Sequence, residues 1–440
     1  MRIALTTKHY MPGFSAMARM SATSPRISLP VVTHRLGSSR ALTSSLREYP
    51  ARRLITPLGM TIKTHKAQGS IVPRLIHASH GHPFRAGMAY IAAELRPTLI
   101  AQHHLLKDSA DLVAKLRDIE LPPDAILFKI DVKNYYMSGT HRCLIDQSAK
   151  SVRSHMQESY KTLLDTILTA QWVSTHPGSQ TYKVTCGSGM GMACSGEISD
   201  SALLHMAELP FILLDNVRQK FRVYMYFRFR DDILIGIGGT KTSRATFINE
   251  FRMHTGCFKL DVDEVSPSGV SMLDLWIYRE SPDQKRLSTT LYVKPTSIKR
   301  FLSSDSMHPD SAHNSWPAAQ LARIRRLCGT PADANTRIRN FLCDLAFNNA
   351  RAPSDFRRPN PVRRSPDSVN QSWCVIPYHV AWRRAGVPAC LYSFSARFAP
   401  ATRSAGMTPL TIRVAWSLGG VHLANSFTQK GGRMGVVEAL

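Results

Sequence analysis

An α+β fold, with an antiparallel sheet carrying helices on one face, is predicted by three features of the sequence. Residues 124–131 form an apolar strand pattern that ends in a carboxylate, Asp131. Residues 221–238, FRVYMYFRFRDDILIGIG, form two aromatic-rich strand patterns that meet at a tight acidic turn. Between them, 151–171 and 196–219 place apolar residues at helical spacing.

The remaining elements follow in chain order. Ordered sequence is expected from about Pro57. Residues 84–107 carry a helical pattern that Pro97 should interrupt. After the hairpin, 246–262 reads as helix then strand, and 270–278 and 286–293 as two further strands. Residues 312–328 and 332–347 read as a pair of helices. The run RAPSDFRRPNPVRRSPDS beyond Arg351 is rich in Pro, Arg and Ser and reads as a linker. Apolar content returns over 372–428, and no internal repeat is present.

Composition narrows the function classes. With 440 residues, 43% of them hydrophobic, the chain can bury a large core and build two to three domains. Its 56 Lys and Arg against 31 Asp and Glu give a net charge of +25. Such an excess concentrates polyanions and is the expected footprint of a nucleic-acid partner. The eight cysteines are scattered with no CxxC pair, so neither a zinc ribbon nor a disulfide scaffold is expected. No apolar run approaches membrane length, and a soluble, intracellular protein is expected. No acidic residue precedes Glu48, while arginines punctuate a Ser/Thr-rich leader. That leader reads as a disordered basic arm, and its composition equally fits a mitochondrial transit peptide or a misassigned gene start.

The chemistry is expected at Asp131, Asp231 and Asp232. Carboxylates set among apolar strands repel one another and resist desolvation, so they call for cations. Mg²⁺ takes hard oxygen ligands, commonly one or two carboxylates plus substrate phosphates. Two such ions ~3.5–4 Å apart can stabilise both the attacking and the leaving oxygen of phosphoryl transfer. Singly, an Asp after a strand is a helix cap and an Asp-Asp pair a solvated turn. Together, in FKIDVKNYY and FRFRDDILI, they read better as a metal site.

These segments resemble the motifs of reverse transcriptases. FKIDVKNYY is similar to motif A, and Phe229-Arg230-Asp231-Asp232 to the YxDD of motif C with Phe for Tyr. Between them GSGMGMACSGEISD (187–200) resembles motif B, with Gly187, Met190, Gly191, Ser195 and Asp200 on matching positions. Further detail resembles Penelope-like retroelements: IKTHK (62–66) followed by Arg74, MLDLWIY (272–278) and above all LYVKPTSIKRFLSSDSMHP (291–309). AHNSWPAAQLARIRRLC extends that last match into a region often classed as helix-turn-helix, and RVAWSLGGVHLANSF (413–427) is more faintly similar.

The resemblance implies a right-hand polymerase with fingers, an antiparallel palm sheet and a helical helix-turn-helix-like or thumb region. Its expected divisions are a basic leader (1–56), a fingers-like segment (57–120), the palm (121–285), the helical region (286–350), the linker (351–371) and a small C-terminal subdomain (372–440). It implies an RNA-directed DNA polymerase that extends a primer 3′-OH with two Mg²⁺ ions, Mn²⁺ being possible in their place. The partners would be an RNA template, a DNA primer and deoxynucleotides, with no membrane, in the nucleus or a mitochondrion.

Asp131 and Asp231 would hold the ions, with the Val132 carbonyl completing one coordination sphere and Asp232 beside them. Tyr136 would exclude a ribose 2′-OH, or else pack beneath the sheet. Gly187, Met190 and Gly191 would allow close backbone approach to the nucleotide. Lys63, Lys66 and Arg74 would face the triphosphate, or form an ordinary basic surface, and Arg300, Arg323, Arg325 and Arg326 would track the nucleic-acid backbone. His308 reads as a turn residue.

Three departures bear on catalytic strength rather than fold. The Gln expected before motif B is replaced within YKVTCG, no Pro follows Arg74, and Cys194-Ser195-Gly196-Glu197 stands where an apolar run is usual. The segment before IKTHK is short for the family, and no GIY-YIG nuclease motif is recognisable, so extension without cutting of duplex DNA is expected. The competing readings are a catalytically silent, domesticated nucleic-acid-binding descendant and, on the leader alone, a basic mitochondrial RNA-processing factor.

Overall fold

The computed structural model describes residues 17–19, 55–63, 72–175, 181–294, 301–306, 308, 310–350, 371–377 and 411–417. Lys66, Arg300 and the 351–371 linker, apart from Gln371, lie outside them. In chain order the first half runs β1 (Met17–Arg19), β2 (Ile55–Lys63), β3 (Val72–His77), α1 (Arg85–Ile100), α2 (Ser109–Leu116), β4 (Ile126–Lys133), α3 (His141–Ser148) and α4 (Gln157–Thr169). Then come β5 (Trp172–Ser174), β6 (Thr181–Val184), α5 (Ser195–Leu203), α6 (Asp215–Phe221), β7 (Val223–Phe229), β8 (Asp232–Ile237) and α7 (Lys241–Thr255). The chain continues through β9 (Lys259–Ser266), β10 (Gly269–Met272), β11 (Leu275–Tyr278), β12 (Ser288–Leu291), α8 (Asp310–Leu327), α9 (Pro331–Phe347), β13 (Gln371–Pro377) and β14 (Thr411–Ser417).

The chain divides into two units, Met1–Ile298 with Ile324–Arg337, and Lys299–Arg323 with Ile338–Leu440. In the first, an antiparallel sheet of order β7-β8-β4-β9 is the centre of an α+β architecture. The alternation of β4 decides which face is which. Phe128, Ile130 and Val132 point to one side, where they join Ile233, Ile235 and Ile237 of β8 in a core closed by helices α1, α3, α4 and α5. Lys129 and Asp131 point to the other side. The small sheet β10-β11-β12 reaches that side of β4 and β9 through Ser271, whose amide donates to Glu264 at 2.8 Å. A further sheet, β1-β6-β5-β2-β3, includes Met17–Arg19 of the basic leader paired with Tyr182–Val184. In the second unit the rings of Phe301, Trp316 and Phe341 pack together, and β13 pairs in parallel with β14. Among the described residues no helix is long and apolar enough to cross a membrane.

Three expectations about the elements are corrected. Pro97 does not interrupt α1, which runs on to Ile100. A proline inside a helix loses its own amide donor and crowds the carbonyl four residues back, but the helix carries on past it, and the Pro97 carbonyl still accepts from the Ala101 amide at 3.1 Å. Residues 196–219 are not one helix. After Leu203 the backbone widens into a π-helical stretch, Leu204–Ile212, that contains Pro210, and α6 starts afresh after an extended Leu214. Residues 270–278 form a hairpin, β10 and β11, that turns at Leu273 with its φ at +56°.

The widened stretch places Glu208, which has no exposed side-chain surface, against Arg228 of β7, which has none either. Glu208 accepts from Arg228 Nε at 2.7 Å and Nη2 at 2.8 Å, and from the Tyr226 hydroxyl at 2.6 Å. Burial alone raises a carboxyl pKa, but Arg228 and His104 outweigh it and hold Glu208 well below the usual range. A depressed carboxyl pKa contributes stability above its unfolded value and loses it as the pH falls. Glu208→Gln therefore leaves a buried guanidinium undercompensated and should cost about 3–5 kcal/mol near pH 7. Urea unfolding should show that deficit, and show it narrowing as the pH falls below the usual carboxyl range, where the unfolded parent takes up a proton at Glu208 that the folded state does not.

Candidate active site

The hairpin β7–β8 and the strand β4 bring the three predicted aspartates together. Asp131 of β4 stands directly opposite Asp232 of β8, with Ile130 opposite Ile233 one step back. Facing residues of an antiparallel pair share a side of the sheet, so Asp131 and Asp232 both lie on the side away from the helices. Asp231 occupies the turn, and its carbonyl accepts from the Val132 amide at 2.9 Å. Motif A and motif C are thus joined backbone to backbone. On the other flank of β4, Asp131 faces Asp261 of β9, a fourth carboxylate on the same side.

Such crowding shows in the electrostatics. The Asp232 carboxyl is pushed up to about 6 by burial first and then by the negative charges of Asp231 and Asp131, against the pull of Lys129 and Lys294. Lys129 lies on the same side as Asp131, two residues earlier, with its Nζ 3.2 Å from Asp263. Burial opposes its charge, but Asp232, Asp263 and Glu264 outweigh burial and raise its pKa. Among the described residues no three His, Cys, Asp or Glu side chains already enclose a metal position. A Mg²⁺ ion does not require such a cage, since it keeps waters and takes substrate phosphates alongside one or two carboxylates. Clustered carboxylates whose mutual repulsion a cation would relieve form a donor set that fits hard divalent cations.

Motif B closes against motif A. After Asp131 the chain turns at Asn134, whose φ is +53°, into a short 3-10 segment, Tyr135–Met137. The Tyr136 carbonyl accepts from the amides of Ser188 and Gly189 at 2.8 and 2.9 Å. Gly187 has φ +77°, and a Cβ there would fall 2.4 Å from Met137 Cα, so no side chain fits. On its outer side the loop is tied to β3, where the His77 amide donates to the Met190 carbonyl at 2.7 Å. Tyr136 is half-buried, and its hydroxyl pKa is raised by burial first, with Arg230 opposing and Asp231, Asp200 and Glu197 adding to the rise. Beside the hairpin turn lies a pocket of about 320 Å³, its lining including Arg96, Lys107, Glu197, Phe229 and Arg230.

No family model matches the sequence, and no curated protein does. Solved structures are similar to it at low identity. A telomerase from Candida albicans in complex with a telomeric RNA fragment is 11% identical, with a TM-score of 0.47 over 76% of this chain and 58% of that one. The BmCPV RNA-dependent RNA polymerase at its quiescent state is 12% identical, with a TM-score of 0.45 over 73% of this chain and 29% of that one. The RNA-dependent RNA polymerase of a human picorbirnavirus is 11% identical, with a TM-score of 0.40 over 67% and 59%. The chain thus spans less than two thirds of the length of each.

Of the sequence-predicted residues, Asp131, Val132, Asp231, Asp232, Tyr136, Gly187, Met190 and Gly191 belong to this joined set of loops and strands. Arg74 is exposed on β3, three residues before the His77 contact, or about 10 Å along an extended strand. Lys63 ends β2. Arg325 and Arg326 are exposed on the last turn of α8, which is fixed to β12 by the Thr289 hydroxyl donating to the Leu327 carbonyl at 2.8 Å. Arg323 is half-buried in the other unit, and His308 is exposed there.

Sequence reasoning missed Lys129, Lys294, Asp261 and the Arg228 network. Only Lys129 carried a signal, its period-two spacing from Asp131. Because the Asp232 pKa is raised, the folded state binds more protons than the unfolded one between about pH 4 and 6, and stability falls as pH rises through that window. Without divalent cations, Asp232→Asn should therefore gain about 1–2 kcal/mol over the parent at pH 8, and the gain should vanish near pH 4. Thermal unfolding at both pH values measures the difference.

Proposed function

We propose that this chain is a template-directed nucleic-acid polymerase of the reverse transcriptase type, derived from a Penelope-like retroelement. The reading is carried by one observation: two aspartates 100 residues apart in sequence, Asp131 and Asp231, are brought together at one end of the inner strands by the backbone hydrogen bond from the Val132 amide to the Asp231 carbonyl. Three motifs in the order and spacing of that family support it, as does the +25 charge.

In this reading Asp131 and Asp231 hold two Mg²⁺ ions, with the Val132 carbonyl as a further donor and Asp232 tuning the charge. When bound, the ions activate the primer 3′-OH and stabilise the leaving pyrophosphate. The chain's own part is placement. The Gly187–Gly191 loop offers backbone to the incoming deoxynucleotide, Tyr136 fills the space beside the sugar 2′ position, and Lys66 and Arg74 meet the triphosphate. Arg300, Arg323, Arg325 and Arg326 contact the backbone of an RNA template and DNA primer. Such a protein would work where its template resides, in the nucleus.

Primer extension on homopolymer RNA with Mg²⁺ tests the proposal. Asp131→Asn and Asp231→Asn should each abolish extension while thermal unfolding changes little or improves, because a repelling charge has been removed. Extension equal to that of the parent would overturn the metal assignment. Binding of primer–template without extension by the parent would favour the silent, domesticated descendant instead.

Tyr136→Ala should admit ribonucleotides by opening space at the sugar. Single-nucleotide incorporation with dNTP and rNTP pairs measures this, and unchanged discrimination would reduce Tyr136 to a packing residue.

A further inference from the structure

One departure from the polymerase motifs, Gly196 in motif B, fits the residue that occupies the variable position of motif C. Arg230, the variable residue of motif C, sits at the hairpin tip with φ +55°, a left-handed conformation that long side chains rarely adopt. Both its ends are held. Its carbonyl accepts from Arg228 Nη1 at 3.2 Å, and its guanidinium donates to one oxygen of Asp200. The other Asp200 oxygen accepts from Arg228 Nη1 at 2.6 Å and from the Tyr135 hydroxyl at 2.8 Å.

The slot that the guanidinium fills exists because residue 196 is glycine. A Cβ at Gly196 would lie 2.4 Å from Arg230 Nη1 and 2.6 Å from Cζ. The guanidinium is the mobile end of a long side chain, so an added methyl would be relieved by moving it, and that movement takes it off Asp200. The residue after Arg230 is Asp231, whose carbonyl is already fixed by Val132. With Arg230 fixed as well, the turn that carries Asp231 is held on both sides.

We infer that Gly196, Arg230 and Asp200 form a lock that sets the conformation of the motif C turn, with Arg230 a positioning residue for the Asp231 carboxylate. The altered motif B is then the counterpart of Arg230 and not a mark of decay. The kinetic consequence rests on the polymerase reading; the lock itself does not.

A double-mutant cycle on the full chain tests both. Gly196→Ala, Arg230→Met and the double variant are compared with the parent in thermal midpoint and in the Mg²⁺ concentration that gives half-maximal single-nucleotide extension. Helix propensity alone makes Gly196→Ala stabilising, since Gly196 lies in α5. The lock requires the opposite, a loss of about 3 °C, and the same loss from Arg230→Met. The double variant should be no worse than Arg230→Met, because without the guanidinium the slot accepts a methyl. Both single variants should need roughly tenfold more Mg²⁺, since a displaced carboxylate binds its ion poorly.

Gly196→Ala behaving as the parent or better, or two losses that simply add, would overturn the lock. Coupled losses in midpoint with an unchanged Mg²⁺ requirement would overturn the positioning role. A folded parent that extends no primer would overturn the polymerase reading, and the thermal cycle alone would then decide the lock.

Discussion

A guanidinium with no exposed surface must find all its partners inside the protein, and Arg228 finds them on four different segments. It meets Glu208 on the π-helical stretch, Asp200 on α5, Tyr135 after β4 and the Arg230 carbonyl at the hairpin turn. Its own amide and carbonyl pair with His104 and Leu106. Removing either carboxylate leaves the guanidinium undercompensated in a low-dielectric interior, so the network favours the arrangement in which these segments meet. The three motifs are among the segments so joined. Geometry at the aspartates therefore depends on an ion network that faces the opposite side of the sheet.

Charge is distributed differently on the two sides. On the helix side, the cations Arg228 and Arg230 are matched by Asp200 and Glu208, and the network is closed. On the other side, Asp261 is paired with Lys133 at 3.0 Å, while Asp131, Asp231 and Asp232 exceed the nearby Lys129 and Lys294, and burial together with that excess raises the Asp232 pKa. A closed network fixes structure, while an excess of one sign leaves a demand for cations from outside. The same strand hairpin carries both, because alternate residues of a strand face opposite ways.

Much of the candidate site was legible because it lies in contiguous motifs. FKIDVKNYY and FRFRDDILI each hold strand pattern, turn and carboxylate within nine residues, so local propensity and chemistry agree. The errors arose where local pattern was overridden by tertiary demand. Apolar spacing over 196–219 suggests one helix, yet Glu208 must reach Arg228 and Pro210 cannot donate, so the backbone widens and breaks. Gly196 belongs to a run that departs from motif B, and the guanidinium that fills the place of its side chain comes from a distant strand hairpin.

The sequence by itself determined the identity of the three aspartates, the strand–helix–hairpin order and the glycine loop, since each is encoded over a few adjacent residues. Only the tertiary structure decided that Asp131 faces Asp232 and Asp261, because register is set by which side of each strand the helices bury. It also decided that Arg228 does structural work rather than meet solvent or nucleic acid, since its side chain has no exposed surface. A charged residue's role depends on which distant carboxylates the fold brings within 3 Å of it, and no local pattern encodes that.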